Sequence, residues 1–493
     1  MGTLQYPFKL KPFEHQLKVW NISCDLQSYA LFMDMGTGKS KVIIDSAAFL
    51  YDKGKIDGLL VLAPKGVYRT WYDIDPDTND PIGEIPTHLP THIKYYATWW
   101  SAYKTKEKLL SYKPFWEVSE DLHILLMNIE ALSNKGEANV LARRFLSSHR
   151  CMMVIDESTT IKNLKAQRTI SSINLGRFAI AKRIATGMPT TRSPMDLYAQ
   201  CYFLDPHLLG FSSYYAFRAR YAIMQKMHLG KRSFDKVVGY QRLDELTEKL
   251  KEFSFRITKE ECLDLPPKLY QYREVELSHE QSLVYKQMKQ LAMAQLDAAT
   301  VVTATMVMVK IQKLHEITCG FLKDPVTGKI RPLKNDRLEN LMEILDETSG
   351  KIIIWATYTY NIEEIYTAIA KEYGTETVMH FYGSTSDDDR ELAKRRFQNP
   401  TDSLRFLVAN PSTGRFGMTL TEAKTFIYYS NNHDLEHRVQ SEDRAHRIGQ
   451  TKNLLIIDLI TRGTVDEKII KNLREKKTIA DKIMGDGYRE WLK

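Results

Sequence analysis

The chain has 493 residues, 43% hydrophobic and 26% charged, enough apolar surface to fill two or three cores. Its five cysteines are scattered with no Cys-x-x-Cys pair, so neither a disulfide framework nor a zinc site is expected. No apolar run nears the roughly 18 residues of a bilayer span. A formal net charge of +8 permits a polyanionic partner without demanding one.

In chain order, the opening "MGTLQYPFKLKPFEHQ" has no apolar core of the kind a secretory leader carries, so secretion is not expected. "YALFM" (29–33) is a short buried strand, and "SKVIIDSAAFLYDKG" has helical spacing and stops at Gly54. Between them lies Gly36-Thr37-Gly38-Lys39-Ser40. Glycines let backbone N–H groups approach phosphate, a lysine reaches the β/γ-phosphates, and a serine holds Mg²⁺. The full pattern wants a further glycine where Met33 stands, so the strand–loop–helix setting carries the assignment.

The runs "GLLVLAP", "HILLMN", "CMMVIDE" and "RIATG" are of strand length and continuously apolar, the signature of a parallel sheet covered on both faces. In "VIDEST", Asp156 and Glu157 follow such a strand, where open α/β sheets bind ligands. Asp156 is placed to hold Mg²⁺ opposite Ser40, and Glu157 to orient or deprotonate an attacking water. The middle of the chain is mostly helical in period, with a hairpin turning at Thr327-Gly328. Its basic stretch 217–242 is a candidate for nucleic-acid contact, with Lys231 and Arg232 as test positions; a solvated helical surface is the alternative.

The strand pattern recurs after residue 350 in "KIIIWAT", "TVMHFYG", "SLRFLVAN", "TFIYYS" and "LLIIDLI", with a helix over 387–398. The expected organisation is a first α/β lobe (1–205), a mainly helical insertion with a hairpin (206–335) and a second α/β lobe (336–493). The cleft between the lobes is the expected active site. In "QSEDRAHRIGQ", Gln440, Arg444 and Arg447 have near-helical spacing, so one face offers two guanidinium groups to a departing phosphoryl group.

These segments, with "FEHQ", "VLAPKGVYRTWYDI", "ATGMPTTRSPMDLYAQCYFLDP", "STGRFGMTLTEA" and "LITRGTVDEKI", resemble the Swi/Snf-like branch of superfamily 2 helicases and DNA translocases from about Phe13 to Ile469. The resemblance implies two RecA-like lobes in tandem and an ATP hydrolase that uses Mg²⁺. Gln16 would read adenine beside Phe13 or His15. Gly36, Thr37, Gly38, Lys39 and Ser40 would cradle the phosphates, with Ser40 and Asp156 on the metal. Glu157 would act on water, Arg444 and Arg447 as arginine fingers, and Gln440 at the start of the last motif. Thr186 and Gly187 would couple nucleotide to DNA. Ser412, Thr413 and Gly417 would face both ATP and the nucleic-acid backbone, and Lys65 and Trp71 would touch DNA phosphates or support that contact.

"DEST" stands where the family carries DEGH or DEAH, "TGMP" for TGTP and "TGRFG" for AGGLG, which leaves the phosphate ligands in place and puts coupling in question. The expected partner is DNA, double-stranded by preference, with a DNA-bound protein as a second. A monomer with no membrane association is expected, in a cytoplasmic or nucleoid-associated, bacterial or viral setting. Three functions stay open: a duplex translocase that displaces or remodels what is bound, a strand-separating or annealing helicase, and an ATP-switched regulatory module.

Overall fold

The computed structural model describes residues 6–75, 78–134, 136–191, 193–229, 232–297, 304–383, 385, 387–412, 420–447, 450 and 453–484. Two parallel sheets organise the chain. The first has seven strands in the order Ser254–Ile257, Ser28–Met33, Ala181–Ala185, Cys151–Asp156, Gly58–Ala63, Leu122–Asn128 and Tyr95–Trp99. The second has six, in the order Lys268–Glu274, Leu454–Ile460, Ala423–Tyr428, Lys351–Trp355, Phe406–Ala409 and Val378–Phe381. Every pairing within the two sheets is parallel.

Strands such as Gly58–Ala63 and Lys351–Trp355 are buried along their whole length because helices cover both faces, which is why they are continuous apolar runs rather than alternating ones. On one face of the first sheet Trp20, Phe49 and Trp71 pack into a core. On the other, Phe115, Phe145 and Phe203 form a second. The second sheet is likewise packed on both faces.

The segment between the lobes does more than bridge them. It supplies an edge strand to each sheet, Ser254–Ile257 to the first and Lys268–Glu274 to the second, only ten residues apart. It also carries two long helices, His279–Asp297 and Ala304–Thr318, and the expected hairpin Phe321–Lys323 with Ile330–Pro332, whose turn has Gly328 at φ 70°.

The basic stretch is not the helical surface offered as one alternative. After the helix Tyr214–Tyr221 it forms an antiparallel ribbon, Ala222–Leu229 with Arg232–Tyr240, in which Asp235 opposes Lys226. Ile223, Phe234, Val237 and Tyr240 are residue types that favour a pleated surface over a helix. Lys231 and the side chain of Arg232 lie outside the described residues.

Candidate active site

The phosphate loop leaves the strand Ser28–Met33 at its C-terminal end and runs into the helix Lys39–Asp52. Gly36 and Gly38 have φ of 81° and 87°, the left-handed region where a side chain is strained. At Gly38 a Cβ would also sit 2.1 Å from Gln16 Nε2, so a side chain there would have to displace the Gln16 amide from the loop. The helix N-terminus that follows presents unpaired N–H groups and the positive end of its dipole to an anion. Lys39 lies folded back over the loop, its Nζ donating to Met33 O (2.9 Å) and Asp34 O (3.1 Å).

His15 and Gln16 brace this loop from below. His15 Nε2 is 2.8 Å from Thr37 O, Gln16 Nε2 donates to the same oxygen at 3.1 Å, and Gln16 Oε1 accepts from Phe13 N at 3.0 Å. The Gln16 amide is thus held by backbone, whereas the Phe13 ring is 55% exposed at the cleft rim, nearly parallel to the His15 ring.

Asp156 ends the fully buried strand Cys151–Asp156. Its Oδ2 accepts from Trp71 Nε1 at 3.0 Å and its Oδ1 from the Glu157 N–H at 3.0 Å. Glu157 has φ 49° and ψ 62°, a conformation costing a non-glycine residue about 1–3 kcal/mol. Thr186 Oγ1 donates to Glu157 Oε2 at 3.0 Å. Gly187 lies against the loop, where a Cβ would come within 3.3 Å of Met35 N. Thr186 and Gly187 therefore join Glu157 to the phosphate loop.

Burial raises the pKa of both acids. For Glu157 the value reaches about 7, since burial and the nearby Asp156 and Glu436 outweigh the opposing Lys39 and the Thr186 hydrogen bond. The Asp156 carboxylate and the Ser40 hydroxyl border the same cavity, and both are oxygen donors of the kind Mg²⁺ takes together with substrate phosphates. A buried carboxylate whose charge is disfavoured is a group that a divalent cation would stabilise. The residues present fit the metal.

The second lobe closes this cavity. The helix Leu435–Glu442 and the turn after it bring Gln440, Arg444 and Arg447 against the first-lobe loop. A Cβ at Gly36 would stand 3.6 Å from Arg447 Cγ. Arg444 is 1% exposed, and burial followed by the neighbouring Arg447 lowers its pKa to about 9; burial lowers that of Arg447 too. Two crowded guanidinium groups in a low-dielectric site form a strong anion trap. The cavity measures about 530 Å³ and is lined by both lobes.

Direct bonds cross the cleft as well. Thr159 Oγ1 donates to Glu436 Oε1 at 3.0 Å, Lys162 Nζ lies 3.4 Å from Glu436 Oε2, and Lys259 Nζ lies 2.7 Å from Asp443 Oδ1. Gln440 Nε2 donates to the same Glu436 at 3.2 Å. Where the family carries the last two residues of DEGH or DEAH, Ser158 binds Gln200 (2.7 Å) and Thr159 makes the cross-lobe bond, so the substituted motif still reaches the second lobe.

The remaining site residues separate. Trp71 is 1% exposed and cannot itself touch a nucleic-acid backbone; it sits beneath Asp156, which leaves the supporting role as the one of the two expectations its place allows. Lys65 is exposed at the rim, its N–H bonded to Glu130 Oε2 at 3.0 Å, and does not line the cavity. Ser412 donates to Asn410 Oδ1 (2.6 Å) away from the cavity, and Thr413 and Gly417 lie outside the described residues.

Glu436, Thr159, Arg256 and Lys259 were missed. Glu436 stands one helical turn before Gln440, a spacing that would have put both on one face. Nothing in the sequence marks Arg256 or Lys259.

An SNF2-related domain description matches residues 14–320, and a helicase conserved C-terminal domain description matches residues 334–449. The chain is 25% identical to the SWI/SNF chromatin-remodeling complex subunit snf22 of Schizosaccharomyces pombe over 99% of this chain and 28% of that protein. It is 27% identical to a putative ATP-dependent helicase/translocase, YwqA, of Bacillus subtilis over 67% of this chain and 35% of that one. It is similar to the Sulfolobus solfataricus SWI2/SNF2 ATPase core in complex with dsDNA, at 24% identity and a TM-score of 0.42, covering 100% of this chain and 97% of that one. The chain spans well under half the length of these two curated relatives. Among the described residues, no helix is long and apolar enough to cross a membrane.

Proposed function

This chain belongs to the SNF2-related domain family, and we propose on that premise that it is a DNA-dependent ATPase that moves along double-stranded DNA and displaces or remodels what is bound there. The observation that carries the reading is one cleft in which Lys39, Asp156 and Glu157 of the first lobe meet Arg444 and Arg447 of the second. This is a phosphoryl-transfer set divided between two bodies, so hydrolysis and lobe movement are linked.

The triphosphate lies along the loop Gly36–Ser40, and Lys39 exchanges its two backbone carbonyls for phosphate oxygens. Phe13 stacks on the base at the rim. Ser40 and Asp156 would hold Mg²⁺, which would supply positive charge to offset that of the triphosphate. Glu157, held by Thr186, takes a proton from the attacking water; a pKa of about 7 leaves much of it ionised at neutral pH. Arg444 and Arg447 bear on the γ-phosphoryl group as negative charge spreads over it, an effect worth about 10³–10⁵ in rate for arginine fingers. Loss of the γ-phosphate removes the anion that both lobes hold, and the cleft is freed to open.

DNA, duplex by preference, is the track, and its phosphates are gripped without regard to sequence. A monomer acting on a DNA-bound protein is the simplest assembly. The test is steady-state ATPase with no nucleic acid, duplex, single-stranded or forked DNA, or RNA, in wild type and Glu157→Gln. Duplex stimulation at low salt that vanishes in the variant is expected. Stimulation by forks or single strands alone would move the assignment to a strand-separating or annealing helicase. An RNA preference, or no stimulation at all, would overturn the DNA assignment.

A further inference from the structure

The segment joining the two sheets is docked along the arginine-bearing turn. It leaves the first sheet at Ile257 and enters the second at Lys268. On the way, Pro266 O lies 2.8 Å from His446 Nε2. Lys259, near the start of this segment, has bonds in both directions. Its backbone N–H donates to Asp34 Oδ2 (3.1 Å), beside the phosphate loop, while Arg256 Nη1 takes Asp34 Oδ1 at 2.8 Å. Its Nζ donates to His446 O at 2.7 Å and pairs with Asp443 Oδ1 at 2.7 Å.

Those two partners flank Arg444, and Arg447 Nε donates to Asp443 O at 3.0 Å. Both side chains of the pair are less than a tenth exposed. Lys268 also lies near Asp443, at 3.5 Å, and near Glu442, at 3.1 Å, but it sits on a strand of the second sheet and anchors the turn within its own lobe.

From this geometry we propose that Lys259 is a positioning residue: it ties the phosphate loop to the arginine turn, so that Arg444 and Arg447 are placed for catalysis only when the lobes are closed. The inference rests on the ATPase reading for its kinetic consequence, but the tie itself is a contact between lobes. A buried ammonium with two good acceptors is stable only while the turn stays against it. When the lobes part, both ions return to water, so the pair favours closure without touching the nucleotide.

The test has two arms. In the first, Lys259→Met should lower ATPase kcat about 10- to 100-fold, since misplacement of about an ångström is that costly, with the KM for ATP nearly unchanged. Lys259→Arg should recover part of the loss. Asp443→Asn, which breaks the pair from the other lobe, should reproduce it, and the double variant should be no worse than either single one.

In the second arm, dyes at Val118→Cys in the first lobe and Glu372→Cys on the second-lobe helix Thr359–Tyr373, both exposed, report the distance between the lobes by energy transfer in a Cys262→Ser background without nucleotide. Transfer should fall in Lys259→Met and Asp443→Asn and return in Lys259→Arg, with melting curves showing that all remain folded. An unchanged kcat in an active enzyme, or unchanged transfer, overturns the proposal. A wild type without ATPase sinks the activity reading alone, because the transfer arm still judges the tie.

Discussion

The indole of Trp71 has one N–H, and it is spent on Asp156 Oδ2 in the floor of the cleft. A group that orients a metal-binding carboxylate commonly changes metal affinity about 10- to 100-fold when removed. Trp71→Phe keeps the aromatic packing and deletes that bond. It should raise the Mg²⁺ concentration needed for half-maximal ATPase by about that factor, while metal-free nucleotide binding stays as in wild type; an unchanged Mg²⁺ dependence would sink this role.

Glu157 gives the opposite stability sign from an ordinary ion-paired acid. Its folded pKa of about 7 lies above the unfolded value, so folding favours its protonated form, and stability is lost as the pH rises through 7. Glu157→Gln should therefore melt at a higher temperature than wild type at pH 8, with the gap shrinking as the pH falls to 5. A gap that stays constant with pH would contradict the sign. Lys39, Asp156 and Glu157 were legible in sequence because each sits in a contiguous motif beside its strand. The bond from Trp71 to Asp156 is not legible in the same way, because the two residues lie 85 positions apart and no local pattern joins them.

At the scale of elements, the strand Ser254–Ile257 is short and only half-buried, and it was not foreseen. Nor was Lys268–Glu274, whose exposed Leu269, Tyr270 and Tyr272 break the alternation by which a half-buried strand is recognised. The inner strands were legible because burial on both faces makes them continuous apolar runs. Edge strands lack that pressure, and here one of them reaches the site.

Arg256, on the first edge strand, donates through one nitrogen to Asp34 Oδ1 at 2.8 Å and to the carbonyls of Phe32 and Gly187, both at 3.1 Å. It fastens the phosphate loop to the Thr186-Gly187 segment. Arg256→Ala leaves Asp34 with one partner fewer and should cost about 1–3 kcal/mol in stability. The KM for ATP should rise about tenfold with a smaller change in kcat, because the loop is loosened before the nucleotide arrives. A kcat effect without a KM effect would place Arg256 in the chemistry instead.

Over the whole molecule, charge on one lobe adds to the proton affinity of Glu157 on the other. Glu436 belongs to the second lobe, yet it is among the groups that hold the Glu157 pKa up, and it is fastened to the first lobe through Thr159 and Lys162. No single stretch of sequence contains this relation, since it exists only with the cleft closed. Glu436→Gln keeps an oxygen for Thr159 and removes the charge. Lys162 retains its bond to Thr191 Oγ1 at 2.6 Å, so the substitution leaves no cation stranded.

With one like charge gone, Glu157 ionises more readily, and its pKa should fall below 7 by a fraction of a unit up to about one unit. The acid limb of kcat/KM reports the essential base of the free enzyme. It should therefore move to lower pH in Glu436→Gln, while the limb of a Glu436→Asp variant, which keeps the charge, stays nearer wild type. The measurement is a pH profile of ATPase from 5 to 9 for the three proteins. Identical acid limbs would mean that the lobes stand apart in the free enzyme and meet only around bound nucleotide.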